Sequence, residues 1–482
     1  MNKTKILAAV VTIVSLFAAS CTKNEKTNTP TNSDKTVKVV SGTLTGNVTW
    51  SKDTIYKLSG FVRVGSDDGT TIDNAGGKKG VLKIEAGTLI VGEKSSKGTL
   101  IVQRGSKIMA EGTATAPIIF TSEKAEGSKA AGDWGGLVIC GLAPINIAGG
   151  HAELEGGYGA YFGGNTPTDN SGILKYVRVE YAGIPINPNQ EINSFTFGGV
   201  GNGTTLSYLQ ASYGGDDSFE WFGGTVNADH LIAYRGVDDD FDTDNGYSGH
   251  IQFGLGIRDK NIADFGPSGA SNGFESDNDA NSSINAPFTT VEFSNMTIVG
   301  PKKDTATAIA TPFKNGALIR RNSKHKIFNS VIIGYPNAIS VDGNTTVANS
   351  IAGDMQIRNT VISGTNGTNG NGYFVLGDVT TPSATTTWVT GTWATAKDWF
   401  LDATFGNSIV PRWDALGIDG SIFEAGITPT LTLAGSSPLL SGANFTGLNS
   451  AFASVAYRGA FGATDWTTSW TEWNPQIKKY LK

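Results

Sequence analysis

SFEWFGG at Ser218–Gly224 and DFDTDNG at Asp240–Gly246 are one pattern written twice, 22 residues apart. Asp216-Asp217 recurs at the same offset as Asp238-Asp239, and FESDN at Phe274–Asn278 continues the series after an insertion. Upstream, LKYVRVEYAG from Leu174 matches LSYLQASYGG from Leu206. Downstream, N-x-x-I-x-G occurs at Asn295, Asn329 and Asn359. Short β-branched and aromatic runs separated by Gly, Asn, Asp and Ser, with no sustained 3.6-residue period, indicate an all-β chain. A loose repeat of 22–34 residues indicates a solenoid. Leucine-rich repeats need a strict Leu frame that is missing here, and propeller blades need about 40–45 residues each. The reading is a single right-handed parallel β-helix over residues 39–372. At ~25 residues a coil this gives ~13 coils, stacked at the ~4.8 Å strand spacing into a rod of ~60 Å.

Stacking turns each repeated residue into a column. One column holds Glu220, Asp242 and Glu275; two residues along, on the same face, a second holds Phe222, Asp244, Asp277, Arg320 and Asp342. Strict alternation turns Phe219, Phe241, Phe274 and Trp221 inward. Asn295, Asn329 and Asn359 are expected to form an amide ladder at a turn. His230 shares a column with Tyr176 and Tyr208 and reads as a packed ring. Arg178, Glu180 and Glu191 read as solvated edge or loop residues.

Carboxylates ~4.8 Å apart repel by about 0.9 kcal/mol a pair even in water, and more when partly buried. Asp216, Asp217, Asp238, Asp239, Asp240 and Asp279 add to that cost at the strand entries. Three readings stay open. The face is solvated and uses Asp and Asn for its turns. Or Asp216, Asp217, Glu220, Asp238, Asp239, Asp240, Asp242, Asp244, Glu275, Asp277 and Asp279 supply oxygens to a hard cation, Ca²⁺, outside any regular calcium motif. Or Glu220, Asp242 and Glu275, with Arg320 or Arg321 as base or clamp, form a catalytic set. Two stacking steps would part Glu220 from Glu275 by ~9.6 Å, within the span that inverting glycosidases use. No histidine enters these columns, and no polygalacturonase or lyase signature occurs, so the reading leans away from catalysis.

Composition narrows the classes. The 482 residues carry 37 Lys+Arg, 43 Asp+Glu, 63 Gly and only 17% charged residues, for a net charge of −6. That excludes a nucleic-acid partner, which needs a basic face, and argues against a helical fold. Two Cys exclude a disulfide scaffold and a Cys-based zinc site. Cys140, within LVICG, reads as a small buried hydrophobe.

Lys3 and Lys5, the apolar run Ile6–Phe17 and the small residues Ala18, Ala19 and Ser20 form a secretion signal over residues 1–20. The small residues ahead of Cys21 resemble a bacterial lipobox, with Ala18 where Leu is usual. That resemblance implies cleavage before Cys21 and its lipidation. Ordinary signal cleavage is the alternative. Residues 21–38 then form a polar tether.

The units LKIEAGTLIVG (from Leu82), LIVQRGSKIMAEGTATAPIIFTS (from Leu100) and GDWGGLVICGLAPIN (from Gly132), with SYGGDDSFEWFGGTVNADHL, DDDFDTDNGYSG, NGFESDND and YRGAFGATDW, resemble a family of secreted bacterial β-helix lipoproteins. The resemblance implies fold and export. The resulting expectation is an outer-membrane protein held by its lipid, facing the cell surface, non-catalytic, binding an extended polysaccharide or serving an outer-membrane receptor. The alternative is a calcium-dependent or carboxylate-based polysaccharide lyase or glycoside hydrolase. A purely architectural role is the third possibility. Seven of the ten Trp lie between Trp388 and Trp473, so residues 373–482 are expected to cap the exposed end coil, with a short helix near Ala394–Leu401.

Overall fold

The computed structural model describes residues 35–188, 190–266, 269–364, 374–376 and 393–481. The signal segment, Cys21, most of the tether, residues 365–372 of the expected β-helix and residues 373, 377–392 and 482 of the expected cap lie outside the described residues.

The chain is a parallel β-helix built on two sheets of 17 and 11 strands. The repeats set the register. Phe195, Phe219, Phe241 and Phe274 follow one another on adjacent coils of the shorter sheet, and Leu174 pairs with Leu206 in the longer one. Among the described residues the shorter sheet stacks 11 strands, where the repeat length alone suggests ~13 coils. The difference is chain spent on insertions between strands, two of which carry small antiparallel hairpins, Ala152–Glu153 with Tyr161–Phe162 and Pro185–Asn187 with Gln190–Glu191.

Alternation decides what is buried. Phe219, Trp221, Phe241, Thr243, Phe274 and Ser276 point inward and are sealed from solvent. The Phe219 ring lies 5.0 Å from Phe195 and 5.6 Å from Phe241, and Trp221 lies 5.6 Å from Phe197. Offset stacks of this kind add about 0.5–1.5 kcal/mol each beyond area burial. Glu220, Asp242 and Glu275 are forced outward in a continuous column.

A turn column in the longer sheet runs Tyr176, Tyr208, His230, Phe253, Asn295, Asn329 and Asn359, all left-handed with φ between 51° and 61°. Its second half aligns the three Asn as expected, but the amides of the first two turn to other partners instead of to each other: Asn295 Nδ2 donates to the Tyr457 carbonyl at 2.9 Å and Asn329 Nδ2 to Ser294 Oγ at 3.2 Å. Asn tolerates this conformation, whereas an aromatic residue costs roughly 1–2 kcal/mol there. Stacking offsets the cost. His230 lies 4.3 Å from Tyr208 and 5.0 Å from Phe253, ring over ring. Cys140 is fully buried, and burial pushes its thiol well above the usual range.

Two features lie at the far end of the chain: a closure of the core, to which residues ahead of the Trp-rich region contribute, and a strap that the sequence reading does not anticipate. Helix α1 (Asn344–Ala352) and helix α2 (Ala396–Phe400), the latter capped by Thr395, close the end of the core with Val347, Trp399 and Phe400. Ser408–Val410 then pairs with Val361–Ser363 as a last strand. Beyond it the chain is a strap that travels back along the outer face of the longer sheet. Ala460 N donates to Thr297 Oγ1 at 2.9 Å, Tyr234 Oη to the Trp473 carbonyl at 3.1 Å, and Tyr480 reaches Ile55, Leu89 and Val91 near the other end. The strap corrects the reading of Arg178 and Glu180, which are 7% and 1% exposed. They do face outward, but Tyr480 covers them, its hydroxyl bonding Glu180 Oε1 at 2.9 Å and Arg178 Nη2 at 3.1 Å.

Candidate functional site

On the shorter sheet the insertion carrying Ile145, Leu154, Tyr158 and Phe162 covers the outward Ile101, Val138 and Cys140, and among the described residues no strap crosses the central coils beyond them. Over those coils lies a cleft of about 380 Å³ lined by Asp216, Asp217, Glu220, Asp238, Asp242, Glu275, Arg320 and Arg321. The strand column supplies Glu220, Asp242 and Glu275, and the turns entering those strands supply the Asp-Asp pairs. Three further carboxylates that the repeats do not reveal, Glu155, Glu191 and Asp264, complete the wall. They come from insertions, whose variable length gives no register; Glu191 sits on the hairpin strand Gln190–Glu191 rather than on a solvated loop.

Two carboxylate triples share Asp217. Asp216, Asp217 and Asp238 form one and Asp217, Glu220 and Asp242 the other, with one oxygen of each member within 4.8 Å of the others in its triple. Asp217 Oδ1 accepts the Asp239 amide at 2.7 Å, and the Asn193 amide group donates to Glu220. Asp238 Oδ1 and Asp242 Oδ1 are buried with no hydrogen-bond partner. Burial, then the neighbouring carboxylates, push Asp217, Glu220 and Asp242 well above the usual carboxylate range. Burial and Glu275 push Asp238 up to about 7.

The remaining acids of the sequence set are placed elsewhere. Asp240 is an interior group, paired with Arg258 Nη1 at 2.8 Å. Asp239 accepts from the Asn272 amide. Asp279 fastens its own loop through the amides of Asn281 and Ser283, at 2.9 and 3.0 Å. Asp277 is held by Arg320 Nε at 2.9 Å and Arg321 Nη1 at 2.6 Å. Asp244 lies beside the cleft, and burial followed by Asp277 pushes it up to about 7. Arg320 also bonds Glu275, so its guanidinium closes one end of the acidic column. Against its burial, Glu275 and Asp277 hold the Arg320 guanidinium above its usual range. It is therefore a poor proton acceptor.

Beyond Glu191 and Gly215, a neighbouring depression of about 560 Å³ carries Lys94 and Lys97. The groove thus has basic side chains at either end of an anionic middle, Lys94 paired with Asp133 and Arg321 with Asp277.

The profile of the pectate-lyase-like beta-helix domain matches residues 42–404. The chain belongs to that family. No curated protein and no solved structure matches it. In this β-helix domain the acidic cleft lies on one outer sheet face and the strap on another.

Proposed function

We propose that this β-helix binds an extended, negatively charged polysaccharide along the cleft, with calcium held between the two carboxylate triples. The observation that carries the reading is the pair of buried, unpartnered oxygens, Asp238 Oδ1 and Asp242 Oδ1, within triples whose ligand oxygens lie within 4.8 Å. A buried carboxylate without a partner is costly, and a hard cation taking 6–8 oxygens at ~2.3–2.6 Å offsets that cost. Asp216, Asp217, Glu220, Asp238 and Asp242 are the ligands this arrangement offers. A loaded cleft, flanked by Lys94 and Lys97 on one side and Arg321 on the other, would meet an anionic chain with positive charge along the groove.

The role is binding rather than cleavage, because Arg320 is committed to Glu275 and Asp277 and no histidine lines the cleft. Lyase or hydrolase activity is the second reading; its support is Arg321, whose side chain is 40% exposed at the cleft. In both readings the protein is held at the outer membrane by lipid on Cys21, facing the cell surface, alone or beside a receptor.

A soluble form beginning at Lys35, screened against acidic and neutral polysaccharides with calcium or EDTA, tests the proposal. Calcium-dependent retention of an acidic polysaccharide without loss of chain length is the expected result. Retention unaffected by EDTA would remove the cation from the reading, and chain shortening would install the enzyme. Replacing Cys21 by Ser should move the full protein from the membrane to the soluble fraction.

A further inference from the structure

The longer sheet carries its own cavity, of about 420 Å³, where the strap makes an excursion over the coils of His230 and His250. It shares no lining residue with the acidic cleft. Polar clamps hold the strap at its rim. Gln252 exchanges two hydrogen bonds of 2.8 Å with the backbone of Ala453, and Asn449 Nδ2 pairs with His250 Nε2 at 2.9 Å. Between the clamps Phe452 stands edge-on to His250, 5.8 Å away, and its ring with Leu206 and Phe253 gives the cavity an apolar side.

The other side is polar and preset. Asp229 Oδ1 accepts from Ser207 Oγ at 2.6 Å and pairs with His230 Nδ1 at 2.5 Å. The stacked rings of Tyr208 and Phe253 fix the His230 imidazole. Among the described residues, Asp229 Oδ2 and His230 Nε2 make no hydrogen bond to protein, and the Asp229 side chain is 47% exposed. Asn227 spends its Oδ1 on the His250 amide at 2.9 Å, leaving its amide nitrogen to donate. No Lys or Arg lines the cavity.

We propose that this cavity binds one neutral pyranose ring. One wall is apolar and suits the C–H face of a sugar. The facing wall offers a carboxylate oxygen, an imidazole nitrogen and an amide donor, which suits neighbouring hydroxyls. The lack of a fixed cation disfavours an anionic ligand, so this site takes a different chemistry from the cleft. Its polar groups are held before the ligand arrives, which keeps the ordering cost of binding low.

The protein has four histidines, so the test reads imidazole NMR signals of the full chain carrying Cys21→Ser, titrated with methyl glycosides of neutral hexoses and pentoses, with galacturonate and with glucosamine. His230 and His250 should shift saturably with a neutral pyranoside. His151 and His325, which lie outside the cavity, should stay still, and EDTA should change nothing. Asp229→Asn, which retains an oxygen for Ser207, should weaken binding about tenfold, as loss of one charge-assisted hydrogen bond does. Phe452→Ala, on the strap, is an independent variant with the same expected direction. The proposal is overturned if no neutral pyranoside moves the two signals, if glucosamine alone moves them, or if both variants bind like the parent.

Discussion

The two outer faces of this solenoid start from the same geometry and end differently. On the longer sheet the outward residues include Ile232, Tyr234, Leu255, Ile257 and Val331, and the chain's own C-terminal strap lies over them with Trp470 and Trp473. On the shorter sheet the outward residues of the central coils include Glu220, Asp242, Asp244, Glu275 and Asp277, and among the described residues no strap covers them. The covered outward positions of the longer sheet are thus mostly apolar, with Arg178 and Glu180 bonded by Tyr480 as the exceptions, while the central coils of the shorter sheet present carboxylates to the cleft. The lesson is that strand alternation fixes direction, while burial depends on what arrives from elsewhere in the chain.

The largest break in this contrast is removal of the cover. Trp470 is fully buried and meets Tyr176 and Tyr208 edge-on, each at 5.9 Å. Trp470→Ala should cost about 3–5 kcal/mol, the usual price of an emptied aromatic site, read from denaturant unfolding. Ending the chain at residue 411 should do more. It leaves a long apolar face bare and Arg178 and Glu180 without Tyr480, and aggregation by light scattering is the expected outcome.

How far the sequence reaches follows from the same contrast. The Phe and acid columns were legible because the repeat at Ser218 and Asp240 places equivalent residues one coil apart without a gap. The strap was not, because it is irregular chain with short 3₁₀ turns; its Trp content announced burial but not the surface that would bury it. Arg178 and Glu180, expected on solvated edges or loops, lie instead on the strand Gly172–Glu180 and are buried beneath the strap. Glu155, Glu191 and Asp264 reach the cleft from insertions, where no periodicity carries position. The acidic columns alone also failed to separate Asp240, which Arg258 takes into the interior, from Asp242, which faces the cleft.

The open face should respond to calcium as the covered face does not. Asp238 and Asp244 are pushed up to about 7, above their unfolded values. A carboxyl raised in the folded state binds its proton more tightly there, so its contribution is present below the unfolded pKa and is lost as pH rises through about 7. In EDTA the protein should therefore lose stability between pH 5 and pH 8. Calcium should reverse the trend, adding about 2.7 kcal/mol at a hundredfold excess over its Kd. The Asp242→Asn, Asp244→Asn pair should stabilise the metal-free protein slightly by relieving repulsion and should shrink the calcium response. Thermal unfolding in the two buffers reads both signs. Destabilisation in EDTA together with an undiminished calcium shift would remove these residues from the cation site.

A smaller effect lies inside the coil, beneath both faces. His325 is fully buried, stacked 5.0 Å from Phe293 and set edge-on to Phe274 at 5.6 Å, and neither ring nitrogen has a hydrogen-bond partner. Burial lowers its pKa to about 3. The neutral ring is the folded form, so its contribution is whole above the unfolded value of about 6.5 and is lost as pH falls from there toward 3. That trend opposes the one from the cleft carboxyls. Replacing His325 by Phe removes an unsatisfied polar group and keeps the stack. It should stabilise the protein by about 1–2 kcal/mol at neutral pH. The variant should also lose an acid-side slope of about 1.4 kcal/mol per pH unit while leaving the calcium response of the cleft intact. Urea unfolding at pH 5 and pH 7, with and without calcium, separates the two contributions. If the variant keeps the parent's acid slope, the titrating group lies elsewhere. If its calcium response falls, the core beneath the acidic column is coupled to the cleft, and the two faces are not independent.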